Sequence, residues 1–419
     1  MEALQSTVQA LSVFTPSLGT WVLLALVLLL FFWAGSHWTS WQRQRTRARI
    51  DAQCRTVDPE ETIFVSIASY RDPECAETLF DLFEKAHCPF RIAVGVCQQN
   101  DASVDEDVLE AYRRLASRGV GDFSDRIRIL SLPADEAKGP MYARHLIEKQ
   151  LYRGERFYLI TDSHMLFTPG WDRRVLQEWY ACAARSPKPI LTMYPNDFKK
   201  HHRLVPPPQY EDTHGTYLRF KRFNDKTGVV EIEGPAFMRR PAAPVPGLFW
   251  AACFSFGPAT MLRDVPFDPF CDYVFFGEEI LMAARLWTSG YDFYHPTTMH
   301  VYHMWERQRP TFWQQFDNVA NSVHRERQKQ EREGYRRLDK ILQRSNEAVT
   351  VLPPYGLGQV RSLADYERLI GLSLASQQFT SLSGIMGTRD SAPADEILSK
   401  FGTWRNFANA KELLQKKLR

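Results

Sequence analysis

Two short stretches carry side chains whose types and spacing can do chemistry. In "RFYLITDSHMLF", residues 156–167, a run of apolar and aromatic residues ends on Asp162, Ser163 and His164. Asp-x-His at the exit of a strand offers one hard oxygen and one imidazole on the same side of the chain, and both can reach one divalent cation. Such a cation can clamp a diphosphate and take up charge as a phosphate oxygen leaves. Taken alone the tripeptide is a weak signal, and a capped turn after a strand, without metal, is its plainer account. In "FFGEEILMAARLW", residues 275–287, Gly277 frees the backbone and Glu278 and Glu279 open a helix with Ile280, Leu281, Ala284 and Trp287 facing inward. Neighbouring helical positions diverge by about 100°, so one glutamate can face a ligand while the other caps or meets solvent. The helix dipole alone also favours acids in a first turn.

Such residues need a frame. "TIFVSIASY" (62–70), "RIAVGVCQQ" (91–99), "RIRILSL" (126–132) and "RFYLI" (156–160) read as strands. Between them, "CAETLFDLFEKA", "SVDEDVLEAYRRLAS" and "GPMYARHLIEKQLY" read as helices, the last with Pro140 at a favourable starting position. This alternation predicts an α/β fold with a mostly parallel central sheet and helices on both faces. Ligands in such sheets bind beyond the carboxyl ends of the strands, where the strand order reverses. Asp162 and His164 fall at such an end. Further on, "VPPP" (205–208) and "GPAFMRRPAAPVPG" (234–247) read as loops within the fold, residues from about 311 as a charged helical extension, and "PPYGLGQVRSLADYERLIG" as a turn and a short helix.

Length and composition bound the rest. The chain has 419 residues, enough for one large catalytic domain with appendages. Its formal net charge of +3 is too small for a nucleic-acid footprint without a concentrated patch, so no nucleic-acid partner is expected. No charge occurs from Ala3 to Gln42, and "WVLLALVLLLFFW" (21–33) is apolar throughout. With its flanks, residues 18–38 would span roughly 30 Å as a helix, which predicts a single-pass membrane anchor rather than a cleaved leader. Arg43, Arg45, Arg47 and Arg49 follow it and favour a cytoplasm-facing catalytic domain. The seven cysteines, an odd number without framework spacing, suit a reducing compartment. The expected divisions are an N-terminal segment (1–17), the anchor (18–38), a basic stem (39–58), a catalytic domain (59–310) and the helical extension packed on it (311–419).

Several stretches, in order, resemble the polypeptide N-acetylglucosaminyltransferase family that modifies hydroxyproline: "IFVSIASYRDPEC", "RIAVGVCQQND", "AKGPMYARHLIEKQLYRGERFYLITDSHM", "TYLRFKRFNDKTGVVEIEGPAFMRRP", "FWAACFSF" and "VFFGEEILMAARLWTSGYDFYHP". The likeness covers about residues 62–310 and extends into "YGLGQVRSLADYERLIG". It implies a GT-A fold, a UDP-sugar donor, a divalent cation (manganese, with magnesium as the substitute) and anomeric retention. Carried onto this chain, the metal pair is Asp162 and His164, with a third ligand at His303 in "HVYHMWERQRP", preferred over His300 on the same stretch. The resemblance places donor contacts at Ser69, Tyr70, Arg71 and Asp72, with Gln98 and Asn100 as base or ribose contacts. Lys138 and Arg144 would meet the diphosphate and Glu278 or Glu279 the sugar or acceptor, while Trp250 reads equally as an apolar wall of the site or as a core tryptophan. The chain departs from the family's pattern at Ile160 and Leu166, where relatives often carry glutamine and a basic residue.

The function implied is transfer of N-acetylglucosamine from UDP-GlcNAc to a hydroxyproline, serine or threonine hydroxyl of an acceptor protein or peptide. Since most membrane-anchored sugar-transfer enzymes face the Golgi lumen, the class opposes the arginine argument, and the side of the membrane stays open. Another UDP-hexose donor, or a non-catalytic membrane protein that kept the fold, are the alternatives. A two-metal phosphoesterase is disfavoured for want of a second carboxylate or histidine cluster.

Overall fold

The computed structural model describes residues 21, 44–119, 121–199, 203, 214–306, 312 and 321–381. The strands in chain order are β1 (Ile63–Tyr70), β2 (Ile92–Asn100), β3 (Ile127–Pro133), β4 (Phe157–Asp162), β5 (Met165–Phe167) and β6 (Pro189–Thr192). They continue as β7 (His214–Phe223), β8 (Val230–Arg239), β9 (Val245–Pro246), β10 (Phe254–Pro258), β11 (Asp292–His295) and β12 (Val301–His303). The helices used below are α1 (Glu74–Glu84), α2 (Val108–Ala116), α3 (Pro140–Gln150), α4 (Trp171–Ala183), α5 (Glu278–Thr288), α6 (Asn321–Ile341) and α7 (Leu363–Ile370).

The central sheet runs β3-β2-β1-β4-β10-β6-β11-β9. β1 pairs in parallel with β2 on one side and β4 on the other, while β10 lies antiparallel between β4 and β6. β6 and β11 again run parallel, so only β10 and the short β9 oppose the majority direction. The sheet is therefore mostly parallel, and its order reverses at β1, opening a crevice at the carboxyl ends of β1 and β4. Because strand side chains alternate, Ile63, Val65 and Ile67 pack with Leu79, Phe83 and Trp171 on one face. Phe64, Tyr158 and Ile160 pack with Met141, Ile147, Ala284 and Leu338 on the other. Burial on both faces explains why β1, β2 and β4 read as unbroken apolar runs.

Local chemistry sets the ends of these elements. α2 begins at Val108, later than the expected 103, because the Asp107 carboxylate accepts from the amides of Leu109 and Glu110. The stretch 234–247, expected as loop, instead opens inside β8, which pairs antiparallel with β7. Leu338, Ile341 and Tyr366 share a core with Trp287 and Trp250. Arg285, fully buried on α5, donates to the carbonyls of Pro266 and Pro354, and Arg337 on α6 meets Asp268 at 2.7 Å.

Two expectations are corrected. The single-pass anchor over 18–38 is not supported, since among the described residues no helix is long and apolar enough to cross a membrane. The longest helix given above, α6, is charged along its length. Of residues 18–38 only Trp21 is described; residues 1–17, 204–213 with the "VPPP" loop, and 382–419 also lie outside the described residues. The cysteine reading changes as well. Cys54, at the end of a helix over residues 44–54, forms a disulfide with Cys88 ahead of β2, a pairing that the odd count without framework spacing did not suggest. The other five cysteines are free and buried.

Candidate active site

Asp162 is the last residue of β4, and His164 follows it by two, where the backbone turns from the sheet into β5. β12 pairs antiparallel with β5 and sets His303 opposite Met165, so a residue far along the chain arrives beside His164. The Nε2 atoms of the two histidines lie 3.0 Å apart, and His303 Nε2 lies 3.2 Å from Asp162 Oδ2. One ligand atom from each of the three residues fits within 4.8 Å of the others. Ligands bound about 2.1 Å from a common ion at right angles stand about 3 Å apart, so these two nitrogens and one oxygen are spaced as a divalent cation requires. Among the described residues, no second group of this kind occurs. His300 does not join it; its ring stacks on Phe254 and its Nε2 lies 3.7 Å from Glu178 in the core.

Behind this triad runs a buried charge network. Arg144, on α3 and 3% exposed, donates to Asp162 Oδ1 at 3.3 Å and to Glu278 Oε1. Burial alone would raise the Asp162 carboxyl; the hydrogen bond and charge of His303, with Arg144 and His164, outweigh it and hold it well below the usual carboxylate range. Burial pushes the Glu278 carboxyl up despite the Arg144 charge. The two glutamates diverge at the helix start as the 100° step requires. Glu279 faces elsewhere, accepting from the Ala252 amide at 3.1 Å and from the Tyr194 hydroxyl. At Gly277, which precedes them with φ +112°, a Cβ would lie 2.7 Å from Leu338, so the turn demands glycine on both counts.

Enclosure pushes the Glu279 carboxyl up to about 7, only partly offset by its two donors. Its raised value means that ionisation costs the folded state more than the unfolded one. Nothing is lost below the ordinary glutamate range; stability then falls as pH rises toward about 7. Glu279→Gln is therefore expected to flatten that fall, and urea midpoints at pH 5 and pH 8 should lie closer together in the variant than in the wild type.

The remaining expected residues divide. Asp72, just past β1, joins the site from behind: its Oδ2 lies 2.6 Å from His164 Nδ1 and accepts from the Ser163 hydroxyl at 2.6 Å. Ser69 and Tyr70 end β1 at the crevice, with Ser69 buried and the Tyr70 hydroxyl pushed up to about 12, mainly by burial. Arg71 turns away with φ 48° to meet Asp105 at 2.7 Å. Gln98 and Asn100 line a cavity of about 800 Å³ with Asp101, Asp105, Asp107 and Ser131, and none of the three triad residues lines it. Gln98 is spent locally, donating to Asp107 and Ser131 and accepting from the Val108 amide. Lys138 is held by Asp272 at 3.1 Å.

Trp250 does not wall the site. It is 0% exposed in the core, with its indole N–H donating to Ser255 at 2.7 Å, so it presents no surface to a ligand. The indole that does lie against the triad is Trp305, 44% exposed, its ring centroid 4.0 Å from that of His303 and 5.9 Å from that of Tyr194. Sequence reading missed Trp305 and Tyr194. A tryptophan two residues beyond a histidine ligand was the available signal.

Among solved structures, S. aureus TarS 1–349 in complex with UDP-GlcNAc is similar at 13% identity and a TM-score of 0.38, over 69% of this chain and 68% of that one. GalNAc-T7 with UDP, GalNAc and Mn2+ is similar at 12% identity and 0.45, over 81% of this chain and 58% of that one. The mannosyltransferase PcManGT from Pyrobaculum calidifontis, with GDP-Man and Mn2+, is similar at 12% identity and 0.36, over 76% and 86%. Likenesses this loose carry no argument, and no curated protein matches the chain. The sequence profile of the family described as Glycosyltransferase (GlcNAc) is different in kind: it matches residues 62–120 and 111–376, a span that holds the sheet, the triad, Arg144 and both glutamates. On that match the chain belongs to the glycosyltransferase (GlcNAc) family and is a glycosyltransferase.

Proposed function

We propose that the protein is a metal-dependent, retaining enzyme of GT-A type that moves N-acetylglucosamine from UDP-GlcNAc to a protein hydroxyl, that of hydroxyproline, serine or threonine. The observation that carries this reading is the meeting of Asp162, His164 and His303 at the crevice where the strand order reverses. Their donor set suits manganese or magnesium, which when bound would neutralise a diphosphate. Asp162, held ionised by its neighbours, is ready as a ligand at any working pH. Arg144 fixes the Asp162 carboxylate from the core side and brings a positive charge to the same place. Neither glutamate is a free strong base, since Glu278 is tied to Arg144 and Glu279 to Tyr194 and Ala252. That suits retention, in which the departing phosphate takes the acceptor's proton. The exposed Trp305 face beside His303 offers a wall for a sugar or acceptor.

The test is a panel of nucleotide sugars given to the full chain with and without Mn2+, read as released UDP. UDP-GlcNAc is expected to give the fastest release, lost on chelation. Release from no donor, or release untouched by chelation, would overturn the proposal.

A further inference from the structure

We propose that Asp72 is a positioning residue that fixes the tautomer and ring orientation of His164; this rests on reading the triad as a metal site. The Asp72 side chain meets a backbone amide, a hydroxyl and an imidazole nitrogen, each able to donate to it. Its Oδ1 accepts from the Glu74 amide at 3.0 Å, which pins it to the first turn of α1. Its Oδ2 accepts from the Ser163 hydroxyl at 2.6 Å and sits 2.6 Å from His164 Nδ1. A carboxylate offers acceptors only. The proton of a neutral His164 therefore belongs on Nδ1, which leaves a lone pair on Nε2, the nitrogen that faces His303 and Asp162. Without that hydrogen bond the imidazole is free to protonate at Nε2 instead, and a ligand nitrogen is lost.

Geometry also makes Asp72 a link between two parts of the site. It follows the carboxyl end of β1, caps α1, and reaches across the crevice to the residues that follow β4. Asp72 and His164 are 92 residues apart, so the turn after one strand holds the ligand of its neighbour. A carboxylate partner of this kind typically contributes about 10–100-fold to metal affinity. The sequence suggested a donor contact at Asp72; the geometry points to a hidden support instead.

Two measurements on the full-length protein decide it. The first is 15N NMR of histidine-labelled, metal-free protein, with His164→Gln used to assign the signal. His164 is expected to carry its proton on Nδ1 in the wild type and to lose that preference in Asp72→Asn. The second is Mn2+ binding followed by the spectroscopic signal of free Mn2+, where Asp72→Asn is expected to bind about 10–100-fold more weakly. The Asp72→Asn variant is expected to fold, because the amide oxygen of its new side chain can take over the cap to Glu74; should it fail to fold, the wild-type spectrum alone decides. An Nε2-protonated His164 in the wild type, or equal Mn2+ affinity in wild type and variant, would overturn the assignment. If the wild type binds no Mn2+, the metal reading fails, while the tautomer still tests what Asp72 does.

Discussion

Asp162→Asn is expected to cut metal-dependent transfer by about a hundredfold to a thousandfold or more, with the fold retained. The substitution keeps the shape of the side chain and removes its charge. Three neighbours depend on that charge: His303, the Arg144 guanidinium and His164 all hold the carboxyl in its ionised form. An amide cannot replace the oxygen that completes the ligand set, and it offers Arg144 a weaker acceptor. Some stability should be lost as well, because a carboxyl held below its usual range stabilises the fold at neutral pH, but Arg144 keeps Glu278 and the fold is retained. UDP release with and without Mn2+, alongside a thermal melt, separates the two effects. Unchanged turnover in a folded variant would remove Asp162 from the mechanism.

The second large effect is on stability. Glu278→Ala should cost about 3–5 kcal/mol, because it leaves a buried guanidinium with only part of its compensation. Both side chains of the Arg144–Glu278 pair are 4% exposed, and the second partner of Arg144, Asp162, lies at 3.3 Å. Breaking such a pair costs far more than an exposed one, which contributes about 0–1 kcal/mol. The double substitution Arg144→Met, Glu278→Leu should recover most of the loss in urea unfolding, since neither charge is then stranded, while activity stays low. A single-variant loss below about 1 kcal/mol would show that water reaches Arg144 more freely than its burial implies.

The first half of the fold was legible because β1, β2 and β4 are buried on both faces and so announce themselves as unbroken apolar runs, while the edge strand β3 still shows its β-branched alternation. Ile63–Tyr70, Ile92–Asn100, Ile127–Pro133 and Phe157–Asp162 end within about two residues of where periodicity places them. The second half resisted. β5 and β12, each three residues long, are too short to show a period, yet their pairing delivers His303. Arg144 and Glu278 lie 134 residues apart, and no spacing rule connects them. Trp250 and Trp305 look alike as letters; what separates them is that one has Ser255 beneath its indole and the other has solvent on one face. Residue type identified the chemistry, and tertiary pairing decided which copies of each type take part.

The Cys54–Cys88 link carries a consequence for access. Cys88 lies one short helical turn, Pro89–Arg91, ahead of β2, and Arg47 stacks over Phe90 and Phe123, which sit ahead of β2 and β3. The helix over residues 44–54 is thus fastened to the underside of the sheet, where strands begin, whereas Asp162 and Tyr70 stand where strands finish. That helix therefore stands on the side of the sheet away from the crevice, and the strand ends that carry Asp162 and Tyr70 are left clear of it.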